Sequence, residues 1–412
     1  MANNTPLPLS SDVNWVGVND TETPRFESLW PIPEGISYNS YLIIGSEKTA
    51  LIDSVHENNA LEHFDKISKL TDLADIDYLI INHMEPDHTG AVPELLKKAS
   101  NAKVVFTPIA KLLFKQFYGF EPASIIVEGE AAEISLGNKT LRFIQTRWLH
   151  WPETMCTYLV EDKILFCCDA FGSFKKLPAG AILESDMDIV KQNIFGLSQK
   201  YFASVFYGVR KWILKAVQKF EELGLEIDVL APSHGPVYTD NAKNIMRKWA
   251  SWSKGDYTKT VVVAYDTMYG MTAKCLNAIV EGVSEAGGQV LSFNLSEDNA
   301  VVDALSALVE APALIVGSPT YEREIFPKVV DFLNLLKTKK FSNRCASVFG
   351  SFGWSGEATR KLSAELSALG FELVEKPLLF HGSPTEEDLE KARHLGKEVA
   401  EKAFSKYITL DR

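Results

Sequence analysis

Four short apolar runs in the first 235 residues each end on side chains that bind metal ions, so a fold of this chain has to gather four strand ends. Tyr78-Leu79-Ile80-Ile81 leads into the hexapeptide His83-Met84-Glu85-Pro86-Asp87-His88. Trp148-Leu149-His150, Phe166-Cys167-Cys168-Asp169 and Ala231-Pro232-Ser233-His234 provide the other three ends. Together they offer four imidazoles and three carboxylates, a donor set for two metal ions that leaves room for a small ligand. His83 and Glu85 are two residues apart, and extended backbone sends both side chains to one side. Pro86 disfavours a helical Glu85 and bends the loop before Asp87 and His88. One loop can then serve two ions, with Asp169 as the natural bridge and His150 and His234 completing one site each. A lone His150 or His234 would be an ordinary structural histidine; the ordered set of seven carries the reading. His56, His63, His381 and His394 lack partners at ligand spacing and are expected on the surface or in packing.

Composition narrows the class. The chain has 412 residues, 46% apolar and 23% charged, enough for two or three domains with substantial cores. No apolar run approaches the ~18 residues that suggest a membrane span. The start, Met-Ala-Asn-Asn-Thr-Pro, has no basic segment followed by an apolar one, so secretion is not expected. A net charge of −12 argues against nucleic acid, which requires clustered Lys and Arg. The five cysteines (Cys156, Cys167, Cys168, Cys275, Cys345) form no Cys-x-x-Cys pair, which excludes a rubredoxin-type iron site and a disulfide framework. They read as reduced thiols of a cytoplasmic protein, with Cys167-Cys168 as core packing.

Two grammars divide the chain. From about Tyr41 to Val237, short strands pair as hairpins: Tyr41-Leu42-Ile43-Ile44 with Ala50-Leu51-Ile52, and Thr157-Tyr158-Leu159-Val160 with Lys163-Ile164-Leu165-Phe166. Helical periodicity runs from Leu61 to Leu70 and from Val92 to Ala99. Hairpins mixed with helices predict two packed sheets with helices outside, an αββα sandwich. Trp252-Ser253-Lys254-Gly255-Asp256 reads as a short polar linker, which sets the domains at 1–255 and 256–412. Beyond it strands and helices alternate: Val261–Tyr265, a helix from about Ala273, Ala313–Gly317, a helix from Phe326, Ala346–Gly350, and a helix from Glu357. That alternation predicts a doubly wound parallel sheet.

The hexapeptide resembles the metallo-β-lactamase motif His-x-His-x-Asp-His, with Glu85 standing where the second His usually does. Carboxylate oxygen is a harder donor than imidazole, and with a bridging Asp it suits iron more than zinc. In this form the chain resembles the flavodiiron proteins. The likeness extends through Pro31-Ile32-Pro33-Glu34-Gly35-Ile36-Ser37-Tyr38-Asn39 and Trp148-Leu149-His150-Trp151-Pro152-Glu153-Thr154-Met155, from about Asn14 to Lys406. The resemblance implies one iron on His83, Glu85 and His150, a second on Asp87, His88 and His234, and Asp169 between them. His88 is the ligand that some members hold off the metal. Tyr201 matches a tyrosine that the family places near the irons, where its phenol could serve as proton donor. Phe26 stands where some relatives carry a His, which leaves the preference between O2 and NO open.

In the second half, Asp266-Thr267-Met268-Tyr269-Gly270-Met271-Thr272 joins a strand to a helix, and such a loop suits a phosphate monoester. Two later loops sit at strand ends, Ser318-Pro319-Thr320-Tyr321 and Ser351-Phe352-Gly353-Trp354-Ser355-Gly356. These features resemble a flavodoxin with FMN. That likeness gives Thr267, Met268, Tyr269, Gly270 and Thr272 to the phosphate, with Met271 among the FMN contacts. It sets Tyr321 and Trp354 near the ring, leaves open which of them stacks, and adds Pro319, Thr320, Ser351, Phe352, Gly353 and Gly356 to the FMN contacts. Asp266 departs from the Ser or Thr of free flavodoxins, and its carboxylate is expected to turn away or cap the loop. No Gly-x-Gly-x-x-Gly occurs, so direct NAD binding is not indicated.

The resemblance implies reduction of O2 to water, of NO to N2O, or of both. It also implies a head-to-tail homodimer, which could pair further into a tetramer. No rubredoxin or flavin reductase segment follows the flavin half, so a separate rubredoxin-like donor is expected. Two other classes fit parts of the pattern: a dizinc hydrolase with a fused flavodoxin domain, and a diiron sensor of O2.

Overall fold

The computed structural model describes residues 5–129 and 132–408. The chain divides into two compact units, residues up to Phe202 with Val209–Ala250, and Ala203–Gly208 with the chain from Ser251 onward.

The first unit is built on two sheets. Seven strands run in the order Leu7–Pro8, Val13–Trp15, Tyr41–Ile44, Thr49–Ile52, Tyr78–Ile80, Lys103–Phe106, Ser124–Ile126. Five more run in the order Glu133–Ser135, Thr140–Gln145, Met155–Leu159, Ile164–Cys168, Val229–Pro232. Both predicted hairpins form as antiparallel pairs, with Tyr41 opposite Ile52 and Tyr158 opposite Leu165. Side chains from the two sheets share one core, in which Ile43, Ile52, Ile80 and Val105 meet Phe143, Met155, Leu159 and Phe166. The helix Ala60–Ser68 buries Phe64 and Ile67 and exposes Leu61, the one-faced pattern of an outer helix. The helix Pro108–Tyr118 starts on Thr107, whose hydroxyl accepts from Ala110 N, and stops at Gly119 with φ +77°.

The second unit holds one parallel sheet in the order Gln289–Asn294, Thr260–Tyr265, Ala313–Gly317, Cys345–Phe352, with Glu372–Leu373 and Leu378–His381 both beside the last. In chain order this is second, first, third, fourth, fifth, the doubly wound arrangement expected from the alternation. Gln289–Asn294 has no apolar run to announce it, because it is an edge strand with Gln289, Leu291 and Ser292 exposed. The polar linker is shorter than its composition suggests. Trp252, Ser253 and Lys254 close the helix Ala242–Lys254, and Trp252 is buried with its indole N–H on Glu310 Oε1 at 2.8 Å. No helix among the described residues is long and apolar enough to cross a membrane.

Candidate metal centre and flavin loops

Each part of the centre starts from a strand end. The strand Tyr78–Ile80 stops two residues short of Asn82, which is held from both sides. Asp53 accepts from Asn82 N at 2.7 Å and from its side-chain amide at 3.0 Å, and the Asn82 carbonyl oxygen of the amide accepts from Thr157 Oγ1 at 2.7 Å. Glu85 follows in extended backbone, with φ −61° and ψ 141°. Pro86 then opens a single helical turn, Pro86–Thr89, so the bend expected at the proline places Asp87 and His88 on a helix. At Asp169 the strand Ile164–Cys168 slips register between Phe166 and Cys168, and Cys168 has φ +50°. Bulges of this kind re-aim the next side chain, here Asp169.

All seven residues meet. Asp169 Oδ2 lies 3.4 Å from His83 Nε2 and 3.2 Å from His150 Nε2. Glu85 Oε2 closes that half, 3.2 Å from His83 Nε2 and 3.1 Å from His150 Nε2. Asp169 Oδ1 faces the opposite way, 2.9 Å from His88 Nε2 and 3.1 Å from His234 Nε2. Asp87 closes the second half, with Oδ1 3.4 Å from His88 Nε2 and Oδ2 3.3 Å from His234 Nε2. The two oxygens of one carboxylate thus address two separate triads. His83, Glu85, His150 and Asp169 form one group compact enough to hold an ion, and Asp87, His88 and His234 form another.

The chemistry of the donors fits metal better than hydrogen bonding. Both oxygens of Asp87 and of Asp169, and Nε2 of His88 and His234, are buried without a well-aligned hydrogen-bond partner among the described residues. Buried polar atoms left in that condition cost free energy unless something coordinates them. Burial disfavours the charged imidazoles, yet the carboxylates outweigh it: Asp169 and Glu85 lift His150 to about 9, and Asp169 and Asp87 lift His234 to about 10. Asp169 is itself held well below the usual carboxylate range, where burial is overcome by His88, His150 and His234. Protons and a metal compete for the same lone pairs, so metal uptake releases protons.

Around the centre, aromatic rings exclude water. Trp151 meets His83 edge-on at 5.0 Å, and Phe26 meets His234 at 5.4 Å. Tyr201, fully buried at the end of the helix Ile194–Tyr201, packs its ring 5.6 Å from that of His234. Burial, then Asp169, Asp87 and Glu85, raise its phenol well above the usual range, so Oη keeps its proton. Sequence spacing gives no reason to single out Glu153, yet its Oε1 lies 2.7 Å from His83 Nδ1. Its signal was indirect: a Glu in an otherwise apolar and aromatic stretch must find a partner when buried. Of the other histidines, His63 is buried with Nδ1 on Val16 O at 2.9 Å, while His381 and His394 are exposed.

The three loops of the second unit all leave carboxyl ends of its sheet. In the first, Asp266 is buried with Oδ1 accepting from Thr267 N at 2.7 Å and Oδ2 from Ser296 Oγ at 2.7 Å. The acid therefore caps the loop, as expected. Thr267 Oγ1 is buried without a partner among the described residues, and Thr272 Oγ1 pairs with Ser351 Oγ at 2.9 Å, joining the first loop to the third. Gly270 has φ +82° and open space around the position of a Cβ, and Gly353 is equally open. These are the features of a cradle for a phosphate monoester. Met268 and Tyr269 are exposed, Met271 is half-buried, and Tyr321 and Trp354 stand in solvent. Thr320 Oγ1 accepts from Ala358 N, Phe352 ends its strand, and Pro319 is buried. A Cβ at Gly356 would come within 2.8 Å of the tip of the flexible Leu379 side chain.

Comparison with known proteins agrees with this division. The family model "ODP family beta lactamase" matches residues 36–235, and "Flavodoxin" matches residues 263–396. A nitric oxide reductase of Moorella thermoacetica is 31% identical over 96% of this chain and 98% of its own. The rubredoxin oxygen:oxidoreductase of Desulfovibrio gigas superposes with a TM-score of 0.92 at 27% identity, covering 98% of this chain and 100% of that one. The flavodiiron protein of Giardia intestinalis also gives 0.92, at 28% identity and 97% of each chain. An N-terminal β-lactamase-like domain followed by a flavodoxin domain, matched along nearly the whole length, makes this chain a member of the flavodiiron proteins.

Proposed function

We propose that the chain reduces O2 to water, NO to N2O, or both, at a non-haem diiron centre supplied with electrons through FMN. The single observation that carries this reading is Asp169, whose two oxygens address two different triads of nitrogen and oxygen donors. In this reading His83, Glu85 and His150 hold one iron, Asp87, His88 and His234 the other, and Asp169 spans them. Three carboxylates among seven donors favour iron over zinc. Thr267, Met268, Tyr269, Gly270 and Thr272 would cradle the FMN phosphate, Tyr321 and Trp354 would lie near the ring, and Met271, Pro319, Thr320, Ser351, Phe352, Gly353 and Gly356 complete the FMN contacts. When bound, the two irons would supply redox chemistry toward a diatomic gas, and FMN would supply electrons singly.

The chain's own residues set the conditions. The buried donors are fixed before a ligand arrives, so little reorganisation accompanies binding. Trp151, Phe26 and Tyr201 keep bulk water away from the triads. Tyr201 Oη, still protonated at neutral pH, offers a hydrogen bond or a proton. The donor is a rubredoxin-like carrier, a reading supported by the name of the Desulfovibrio relative. The protein acts in the cytoplasm as a head-to-tail dimer in which the FMN of one copy serves the irons of the other, and that dimer can pair into a tetramer. Five free, buried cysteines agree with a reducing compartment.

The test is gas consumption by anaerobically isolated protein with reduced rubredoxin, run on O2 and on NO, with iron and FMN quantified. Two irons, one FMN and steady uptake of either gas are expected. Two zincs and ester or amide hydrolysis would replace this reading with a hydrolase, and gas binding without turnover would replace it with a sensor. Tyr201→Phe should slow turnover by about 100-fold with iron and FMN content unchanged; unaltered turnover removes the phenol from the mechanism.

A further inference from the structure

The two halves of the centre are supported differently from behind. Glu153 is fully buried, and its only ion-pair partner among the described residues is His83. Its Oε1 receives two hydrogen bonds, from His83 Nδ1 at 2.7 Å and from Met84 N at 3.1 Å. Thr107 Oγ1 donates to the Glu153 carbonyl at 2.9 Å, and the same hydroxyl caps the helix Pro108–Tyr118, so the glutamate is anchored to a regular element. An ionised carboxylate only accepts, so Nδ1 of His83 must carry the proton. Nε2, which lies 3.2 Å from Glu85 Oε2 and 3.4 Å from Asp169 Oδ2, is then the ring nitrogen that presents its lone pair to a metal.

The second half has weaker backing. His234 Nδ1 donates to the Ser37 carbonyl at 2.8 Å, a neutral acceptor. His88 Nδ1 is buried and has no hydrogen-bond partner among the described residues. A carboxylate behind an imidazole fixes its tautomer and orientation and raises its basicity more than a carbonyl does, and loss of such a partner typically costs about 10–100-fold in metal affinity. Each half has one carboxylate of its own, Glu85 in the first and Asp87 in the second, so the difference between them lies in what stands behind the imidazoles.

We infer that Glu153 is a positioning residue that locks His83 with its proton on Nδ1 and makes the His83–Glu85–His150 half of the centre the tighter one and the first to fill with metal. The inference rests on the ligand assignment proposed above, and the test separates the two. Ferrous iron is titrated anaerobically into metal-stripped, full-length protein against a competing chelator. Wild-type protein should bind iron in two distinguishable steps; binding in neither step would overturn the ligand assignment and this inference with it. In Glu153→Gln the tighter step should weaken by about 10–100-fold while the looser one changes much less, and Glu153→Leu should weaken it further. Two steps that both stay unchanged, or that fall together, would overturn the positioning role while leaving the ligand assignment standing. Retained FMN and thermal melting show that each variant is folded. Should both variants fail that check, histidine nitrogen NMR of zinc-loaded wild-type protein decides: a proton on His83 Nδ1 is expected, and a proton on Nε2 overturns the inference.

Discussion

In the first unit, the side chains of the candidate centre are at most 17% exposed, whereas in the second Tyr269 and Trp354 stand 83% and 74% exposed. The contrast follows from what each site has to bind. A metal ion is small and strongly hydrated, so its ligands are desolvated, fixed and aimed beforehand, and the donors' charges are balanced among themselves. A flavin is large and flat. Its phosphate needs a few fixed hydroxyls and amides, and its ring is met by aromatic surface that water otherwise covers. Tight burial and open aromatic loops are thus two answers to ligand size, placed on separate units of one chain.

The sharpest way to break this contrast is to remove the group common to both triads. Asp169→Ala should lose both irons and slow gas consumption by more than about 100-fold, beyond the usual cost of an outer partner, while FMN content stays as in wild type. Iron retained at one equivalent would mean that Asp169 does not serve both halves. A second difference concerns acid. Buried His63 has its pKa pushed down to about 4, by burial first, despite the hydrogen bond to Val16 O. Unfolded chain binds the proton from ~6.5 downward, so stability present above that value is lost as pH falls toward 4, on the order of 3 kcal/mol. Denaturant unfolding of metal-stripped protein should follow that trend, and His63→Gln should flatten it. An unchanged slope would show that other groups dominate. At the flavin loops, Thr272→Val should weaken FMN binding by about 10–100-fold, the worth of a hydrogen bond to a charged group, with iron content unchanged. FMN titration of flavin-stripped protein measures it.

The same contrast explains what could be read from sequence. Side chains able to bind metal are chemically distinctive and here fall at strand ends, so His83 through His234 stand out by order and spacing as candidate ligands, and the structure brings all seven together. The parallel core strands of the second unit are legible because both faces are buried, as in Val261-Val262-Val263-Ala264. Gln289–Asn294 is hidden by its half-exposed edge position. Trp252 reads as linker because its neighbours are polar, although its spacing of three from Trp249 continues a helical face. Glu153 carries only the indirect signal of an acid in an apolar stretch, because its role depends on a contact with His83, 70 positions away in sequence, which only tertiary structure creates.

The central claim, a diiron and flavin reductase, is tested most directly by titrating the fully reduced protein with O2. Two ferrous ions and FMN hydroquinone together hold the four electrons that reduce O2 to water. Complete reoxidation of each protomer by one O2, with no hydrogen peroxide released, is the predicted result. Reoxidation requiring two O2 with accumulation of peroxide, or reoxidation of the flavin alone, together with no oxidation of the reduced centre by NO, would contradict it.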